Sequence, residues 1–423
     1  MSVQFLSVSA TEIVDSRGRP TLWVEATLAD GFSAEAGVPS GASTGSQEAV
    51  EVRDGDSTRY GGAGVQVAVG NVEGPIAELL VGPVWHSLRE IDDALCALDG
   101  TGNKSRLGAN AIVGVSIAAT RALCHRSGEP LWRWLTPPDA LAALPVPHFN
   151  VINGGVHAPN PLDFQEFMIA PLGAPSMAEA VRAGAEIYGT LRRALSSRGF
   201  STGLGDEGGF APDLTRPEEV LVLLRNAITD GGYHTGRDGV SIALDPAASE
   251  FYRDGRYDVG GDSLSSADLV ERLAVIVEEF PVWSIEDGMA ETDTAGWVAL
   301  TNRLGERIQL VGDDNFVTDP ALIARAVRAD IANAALIKVN QVGTVSETLA
   351  ALDVCRQSGY GAMISHRSGE TTDPFIADLA VGSGCGQIKS GAPARGERVA
   401  KYNRLIQIAA ANPGLPFGLP AAR

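Results

Sequence analysis

The sequence predicts an α/β barrel, parallel-rich, preceded by a smaller N-terminal α+β domain. Three observations carry this. First, Ser241 to Gly391 holds six short apolar runs that each end in a charged or polar residue: SIALD, PVWSIED, IQLVGDD, AALIKVN, GAMISHR and CGQIKSG. Second, the intervals between them suit a strand, a helix and two connections. Third, helix signals fall in those intervals. SSADLVERLAVIVEEF (265–280) has apolar residues at helical spacing. Asp319-Pro320 is a helix start, and Thr344 with Glu347 has the capping-box form. In such a barrel the carboxyl ends of the strands converge on one mouth. Asp245, Glu286, Asp313, Lys338, His366-Arg367 and Lys389 are therefore expected around one pocket.

The chain has 423 residues, which favours a large barrel plus a second domain, divided here as 1–135 and 136–423. The Pro-rich TPPDALAALPVP (136–147) marks the boundary. Apolar content of 44% allows a sizeable core, and a net charge of −19 argues against a nucleic-acid partner. The four cysteines are dispersed, without a C-x-x-C pair, as expected of reduced thiols. No basic-then-apolar leader opens the chain, and no apolar run approaches the roughly 20 residues of a membrane span. A cytoplasmic protein without a membrane partner is the expectation.

Within the first domain, TLWVEATLAD (21–30) alternates as a strand and Asp30-Gly31 reads as a hairpin turn. VPSGASTG (38–45) is a flexible loop that either presents backbone N–H groups and hydroxyls to an anion or metal, or is a plain surface turn. LGANAIVGVSIAATRALCHRSG (107–128) is a small-residue helix suited to close packing. In the second domain, two apolar strands flank a Gly-rich loop with His157, and Gln165 and Glu166 interrupt the second strand. A charge in an apolar strand is paired or functional, because burying it alone is costly. STGLGDEGGFAPDL (201–214) contains G-x-G-x-x-G, but no helix pattern opens after it, so it is read as a glycine loop presenting Asp206 and Glu207.

Asp245, Glu286 and Asp313 would repel one another in one pocket unless a cation joined them. All-oxygen ligation suits Mg²⁺ or Mn²⁺. The alternative is three surface carboxylates at helix starts. Lys338, inside an apolar run, is an ion-pair partner or a base whose neutral form is favoured by burial and nearby cations. Arg367, Ser368 and Lys389 suit an anion such as phosphate. Glu166 and Glu207 are candidate acids. Together these groups fit proton abstraction beside a carboxylate, followed by loss of a β-hydroxyl.

Many segments in order now resemble the enolase family: DSRGRPTLWVE, VPSGASTG, NKSRLGANAI, NGGVHA, QEFMI, GDEGGFAP, SIEDG, LVGDD, IKVNQVGT, SHRSGET and QIKSGAPAR. The resemblance spans nearly the whole chain. It implies an enolase-type barrel and Mg²⁺-dependent dehydration of 2-phosphoglycerate to phosphoenolpyruvate. It implies two Mg²⁺ per site, the first on Asp245, Glu286 and Asp313 and the second on Ser43 as loop 38–45 closes. Lys338 would be the base and Glu207 the acid, assisted by Glu166. Arg367 and Ser368 would hold phosphate and Lys389 the carboxylate. His157, Gln165 and His366 would border the substrate. A homodimer or larger homo-oligomer is implied. Ala63, His148, Phe149, Asn315 and Gly396 depart from the usual family residues. They motivate an alternative, a paralogue of the carboxyphosphonoenolpyruvate synthase type acting on a modified phosphoglycerate. A non-catalytic protein on the same scaffold is a third reading, but no base, acid or ligand has been lost.

Overall fold

The computed structural model describes residues 2–42 and 45–420. Strands β1 (Val3–Val14), β2 (Pro20–Leu28), β3 (Ser33–Gly37) and β4 (Val84–Trp85) form an antiparallel sheet in the order β3-β2-β1-β4. The alternation in β2 buries one face, as a half-covered sheet requires. The Asp30-Gly31 turn forms as expected, with Gly31 at φ 89° and its N–H on Leu28 O at 2.9 Å. The helix Ala109–Ser127 lies across the buried face. Gly114 permits that approach, since a Cβ there would meet Val24 Cγ2 at 2.6 Å.

Eight strands close a barrel: β5 (Val146–Asn153), β6 (Glu166–Ala170), β7 (Ser241–Asp245) and, after a small sheet, five more. The small sheet is β8 (Tyr252–Arg253), β9 (Arg256–Val259) and β10 (Asp262–Leu264). The remaining barrel strands are β11 (Val282–Glu286), β12 (Gln309–Gly312), β13 (Ala334–Ile337), β14 (Gly361–Ser365) and β15 (Gln387–Lys389). Their circular order is β11-β12-β13-β14-β15-β5-β6-β7. All six runs read as strand ends occupy this barrel. The barrel is not wholly parallel, however. β6 runs antiparallel to both β5 and β7, so β5 and β6 make a hairpin whose loop lies at the mouth.

The outer helices start where local chemistry satisfies their first amides. Ser265 and Asp268 form a capping box for Ser266–Glu279. The Asp319 carboxylate accepts from Ala321 and Leu322 N–H ahead of Pro320–Arg328. Thr344 accepts from Glu347 N–H and donates to its carboxylate at the start of Val345–Ser358. The barrel interior is packed, with Met168, Ala170, Ala243 and Trp283 in one cluster and Val311, Ala334, Leu336 and Met363 in another. His148 lies in the same interior, its ring 5.5 Å from that of Trp283, and burial lowers its pKa to about 4. No helix among the described residues is long and apolar enough to cross a membrane.

Candidate active site

Parallel pairing in register brings the strand ends to one level. Asp245 ends β7, Glu286 ends β11, Asp313 follows β12, Lys338 follows β13 and Lys389 ends β15. Glu166 opens β6, but the reversal of that strand pairs it with Asp245, so it faces the same mouth. A cavity there is lined by His157, Gln165, Glu166, Glu207, Asp245, Lys338, Lys389 and the segment 365–368. In the circular strand order β13 and β6 are four places apart, which sets Lys338 and Glu166 on opposite sides of the barrel.

Lys389 neutralises one side of this cavity. Its Nζ lies 2.7 Å from Glu286 Oε1, 3.3 Å from Asp245 Oδ2 and 3.2 Å from Glu166 Oε2. All four side chains are buried, where an uncompensated charge is expensive. Burial, then the charge of Asp245, raises Glu286 well above the usual carboxylate range. Burial, then Glu207, does the same to Glu166. Glu207 behaves oppositely. Burial pushes it up, but His366 and His157 more than offset this and hold it low. Asn150 Nδ2 donates to its Oε2 at 2.9 Å. His157 Nδ1 stands between the two acids, 3.8 Å from Glu166 and 3.7 Å from Glu207. The two acids are thus pushed in opposite directions, Glu166 up and Glu207 down.

Lys338 takes the ion-pair alternative of its two readings. Its ammonium contacts the Asp313 carboxylate, and this attraction outweighs burial, so its pKa is raised rather than lowered. The neutral form needed of a base is not favoured while Asp313 faces it unshared.

On the far rim Arg367 forms a two-pronged pair with Glu48, at 2.9 and 3.1 Å, and donates to Asn340 Oδ1 at 3.1 Å. Ser368 Oγ accepts from Arg17 Nη1 at 3.1 Å. His366 Nε2 lies 3.2 Å from Glu207 Oε2, and burial lowers its pKa to about 4. Gln165 contributes a buried Oε1 with no hydrogen-bond partner. Every described site residue expected from the sequence is therefore at this mouth. Ser43 lies outside the described residues.

Among the described residues two sets bring three ligand atoms within 4.8 Å of one another: His157, Glu166 and Glu207, and Asp287, Asp313 and Asp314. Asp245, Glu286 and Asp313 are not such a set, because Lys389 draws the first two and Lys338 the third. Asp287 is a structural member of its cluster, as its two oxygens accept from Asp313 and Asp314 N–H at 2.8 and 3.0 Å. Glu286 Oε2, by contrast, is buried without a partner. An all-carboxylate set with an orphaned buried oxygen fits a hard divalent cation.

Sequence reading missed Glu48, Asn150, Asn340, Gln341 and Arg398. Arg398 is fully buried and donates to His366 Nδ1 and to the carbonyls of Arg367 and Ser368. Its only early signal was an arginine inside an otherwise regular helical stretch. Asn340 and Gln341 stood in plain view directly after Lys338.

Residues 6–135 match a family model described as "Enolase, N-terminal domain", and residues 141–412 match "Enolase, C-terminal TIM barrel domain". A protein from Rubrobacter xylanophilus named Enolase is 54% identical over 428 residues, covering 99% of this chain and 99% of that protein.

Proposed function

The chain belongs to the enolase family and is a hydro-lyase, and from that premise we propose that it dehydrates 2-phosphoglycerate to phosphoenolpyruvate with bound Mg²⁺. The observation that carries this reading is the opposition of Lys338 and the Glu166–Glu207 pair across one barrel mouth. An anti elimination is served by a base on one face of the substrate and an acid on the other, each within reach of the proton it moves.

Asp245, Glu286 and Asp313 would hold the first cation, and Ser43 the second. Bound there, Mg²⁺ supplies positive charge that stabilises the dianion formed when a proton leaves the carbon beside a carboxylate. With Asp313 shared in this way, its hold on Lys338 would weaken, and burial would then favour the neutral amine. Lys338 takes the C2 proton. Lys389 holds the substrate carboxylate, and Arg367 and Ser368 the phosphate. Glu207, assisted by Glu166, delivers a proton to the C3 hydroxyl, which leaves as water while the C2–C3 double bond forms. His157, Gln165 and His366 border the leaving group.

His148 and Asn315 motivated a modified substrate. His148 lies inside the barrel, and Asn315 folds back over Gly312, where an added Cβ would come within 2.5 Å of its Oδ1. Neither residue lines the cavity, nor does Ala63, Phe149 or Gly396, and the full-length relative is named Enolase, which supports the unmodified substrate. We further expect a homodimer or larger homo-oligomer in the cytoplasm, with the division at 1–135 and 136–423.

The test is absorbance of the enol product from 2-phosphoglycerate and Mg²⁺, with an EDTA control and the Lys338→Ala variant. Fast turnover that both EDTA and the substitution abolish is expected. A folded, Mg²⁺-binding protein that leaves 2-phosphoglycerate untouched would overturn the substrate assignment. Retained turnover in Lys338→Ala would overturn the base.

A further inference from the structure

We propose that Glu48 is a positioning residue that orients Arg367 for its anion and, through Gln341, ties that arginine to Asp313. The inference rests on the reading of Arg367 as the phosphate ligand.

Glu48 comes from the first domain, yet its carboxylate ends almost buried at the barrel mouth, 9% exposed. It grips both terminal nitrogens of Arg367, which fixes the plane of the guanidinium as well as its position. The same carboxylate accepts from Gln341 Nε2 at 3.1 Å and from Gly45 N at 3.2 Å. Gln341 Nε2 also donates to Asp313 Oδ1 at 2.8 Å.

The orientation of that amide is fixed from behind. Thr318 Oγ1 accepts from Lys338 N–H at 2.9 Å, so its own hydrogen is given to Gln341 Oε1 at 2.7 Å. The NH₂ group must then face Glu48 and Asp313. Asn340 repeats the pattern one residue earlier. Its Oδ1 accepts from Arg367, and its Nδ2 donates to Pro39 O at 3.2 Å. Two consecutive amides of the barrel thus hold the anion-binding arginine, the carboxylate of Asp313 and the first domain in one hydrogen-bonded set. A structural ion pair would need only Glu48 and Arg367. The branch to Asp313 is what links anion position to the acidic side of the cavity.

Glu48→Gln keeps size and one acceptor but removes the charge and turns an NH₂ towards the guanidinium. By calorimetry in Mg²⁺ buffer, the Kd for inorganic phosphate should rise about 10–100-fold, the loss of one charge-assisted contact. KM for 2-phosphoglycerate should rise by the same factor, with kcat changed much less. Glu48→Asp, which keeps the charge, should recover part of the loss, and it also serves if Glu48→Gln is unstable. Gln341→Met should raise the Mg²⁺ needed for half-maximal activity more than it raises the phosphate Kd.

A phosphate Kd and KM within about twofold of the parent would overturn the proposal, as would a fall confined to kcat. If the parent binds phosphate through Arg367 but does not turn over 2-phosphoglycerate, weaker phosphate binding by Glu48→Gln upholds the positioning role while the substrate assignment fails. If the parent binds no phosphate, the role falls with the anion site.

Discussion

Lys389 Nζ lies 2.7 Å from Glu286 Oε1, and both side chains are only 2% exposed. This pair keeps a cluster of buried carboxylates foldable. Lys389→Met should therefore cost about 3–5 kcal/mol of stability without metal, the usual cost of stranding a buried charge. Mg²⁺ should restore part of the lost thermal midpoint, since a ligand that binds the folded state stabilises it. On the proposed role of Lys389 as the substrate-carboxylate anchor, activity should stay very low. Melting curves with and without Mg²⁺ check this; equal midpoints would count against the cation reading.

Arg398 sets the protonation of His366. A guanidinium can only donate, so His366 Nδ1 must accept, and the ring proton sits on Nε2 facing Glu207. Arg398→Lys breaks the planar fork that also serves the carbonyls of Arg367 and Ser368. On the reading of Glu207 as the acid, the expected outcome is a fall in kcat of about 100-fold, the low end of what a general acid contributes. Nitrogen chemical shifts of the His366 ring should show mixed tautomers. A ring still wholly Nε2-protonated would mean that another group fixes it.

Gly205 and Gly209 let the loop carrying Glu207 wrap the side chain of Asn153. A Cβ at Gly205 would meet Asn153 Cβ at 2.7 Å and His157 O at 2.8 Å. The second is backbone and cannot rotate away. Gly205→Ala should displace Glu207 and His157 together, lowering kcat about 100-fold, the scale of a displacement near 1 Å at reacting groups. Steady-state kinetics beside a melting curve separate this from simple unfolding.

Asp92 gives the fold a pH signature away from the site. It lies in the helix Leu88–Asp99 and accepts from Ser346 N–H at 2.9 Å, joining the first domain to a barrel helix. Burial raises its pKa from 3.8 to about 6. Below the unfolded value both states hold the proton. Between there and about pH 6 the folded chain binds it more tightly, so this contribution is lost as pH rises through the window. The loss is about 3 kcal/mol for a shift of roughly two units. Asp92→Asn should flatten the dependence of the urea midpoint between pH 4 and about 6.5. An unchanged slope would assign the dependence elsewhere.

The strand ends were legible because each puts a polar residue after an apolar run, and a barrel gives all such ends one destination. The reversed direction of β6 was not legible. Inward and outward residues alternate with the same period whichever way a strand runs. Glu166 could thus be recognised as out of place in QEFMI, but not as a neighbour of Asp245. Of the two readings open for Lys338, ion-pair partner or base, the sequence could not name Asp313 as the partner, because strand ends carry no record of which neighbours meet. Glu48 escaped notice for a related reason: 319 residues separate it from Arg367, and no local pattern encodes so distant a pairing.

The reversal of β6 also bears on how such a barrel could change its substrate. A parallel neighbour must be reached by a crossover that packs a helix on the outside, so altering that connection disturbs the wall. β5 and β6 need only a turn. The segment between them, carrying His157 and Gln165, can lengthen, shorten or be replaced while every outer helix keeps its seat. Engineered tailoring of the cavity should start at that segment, which supplies His157 and Gln165 to its lining.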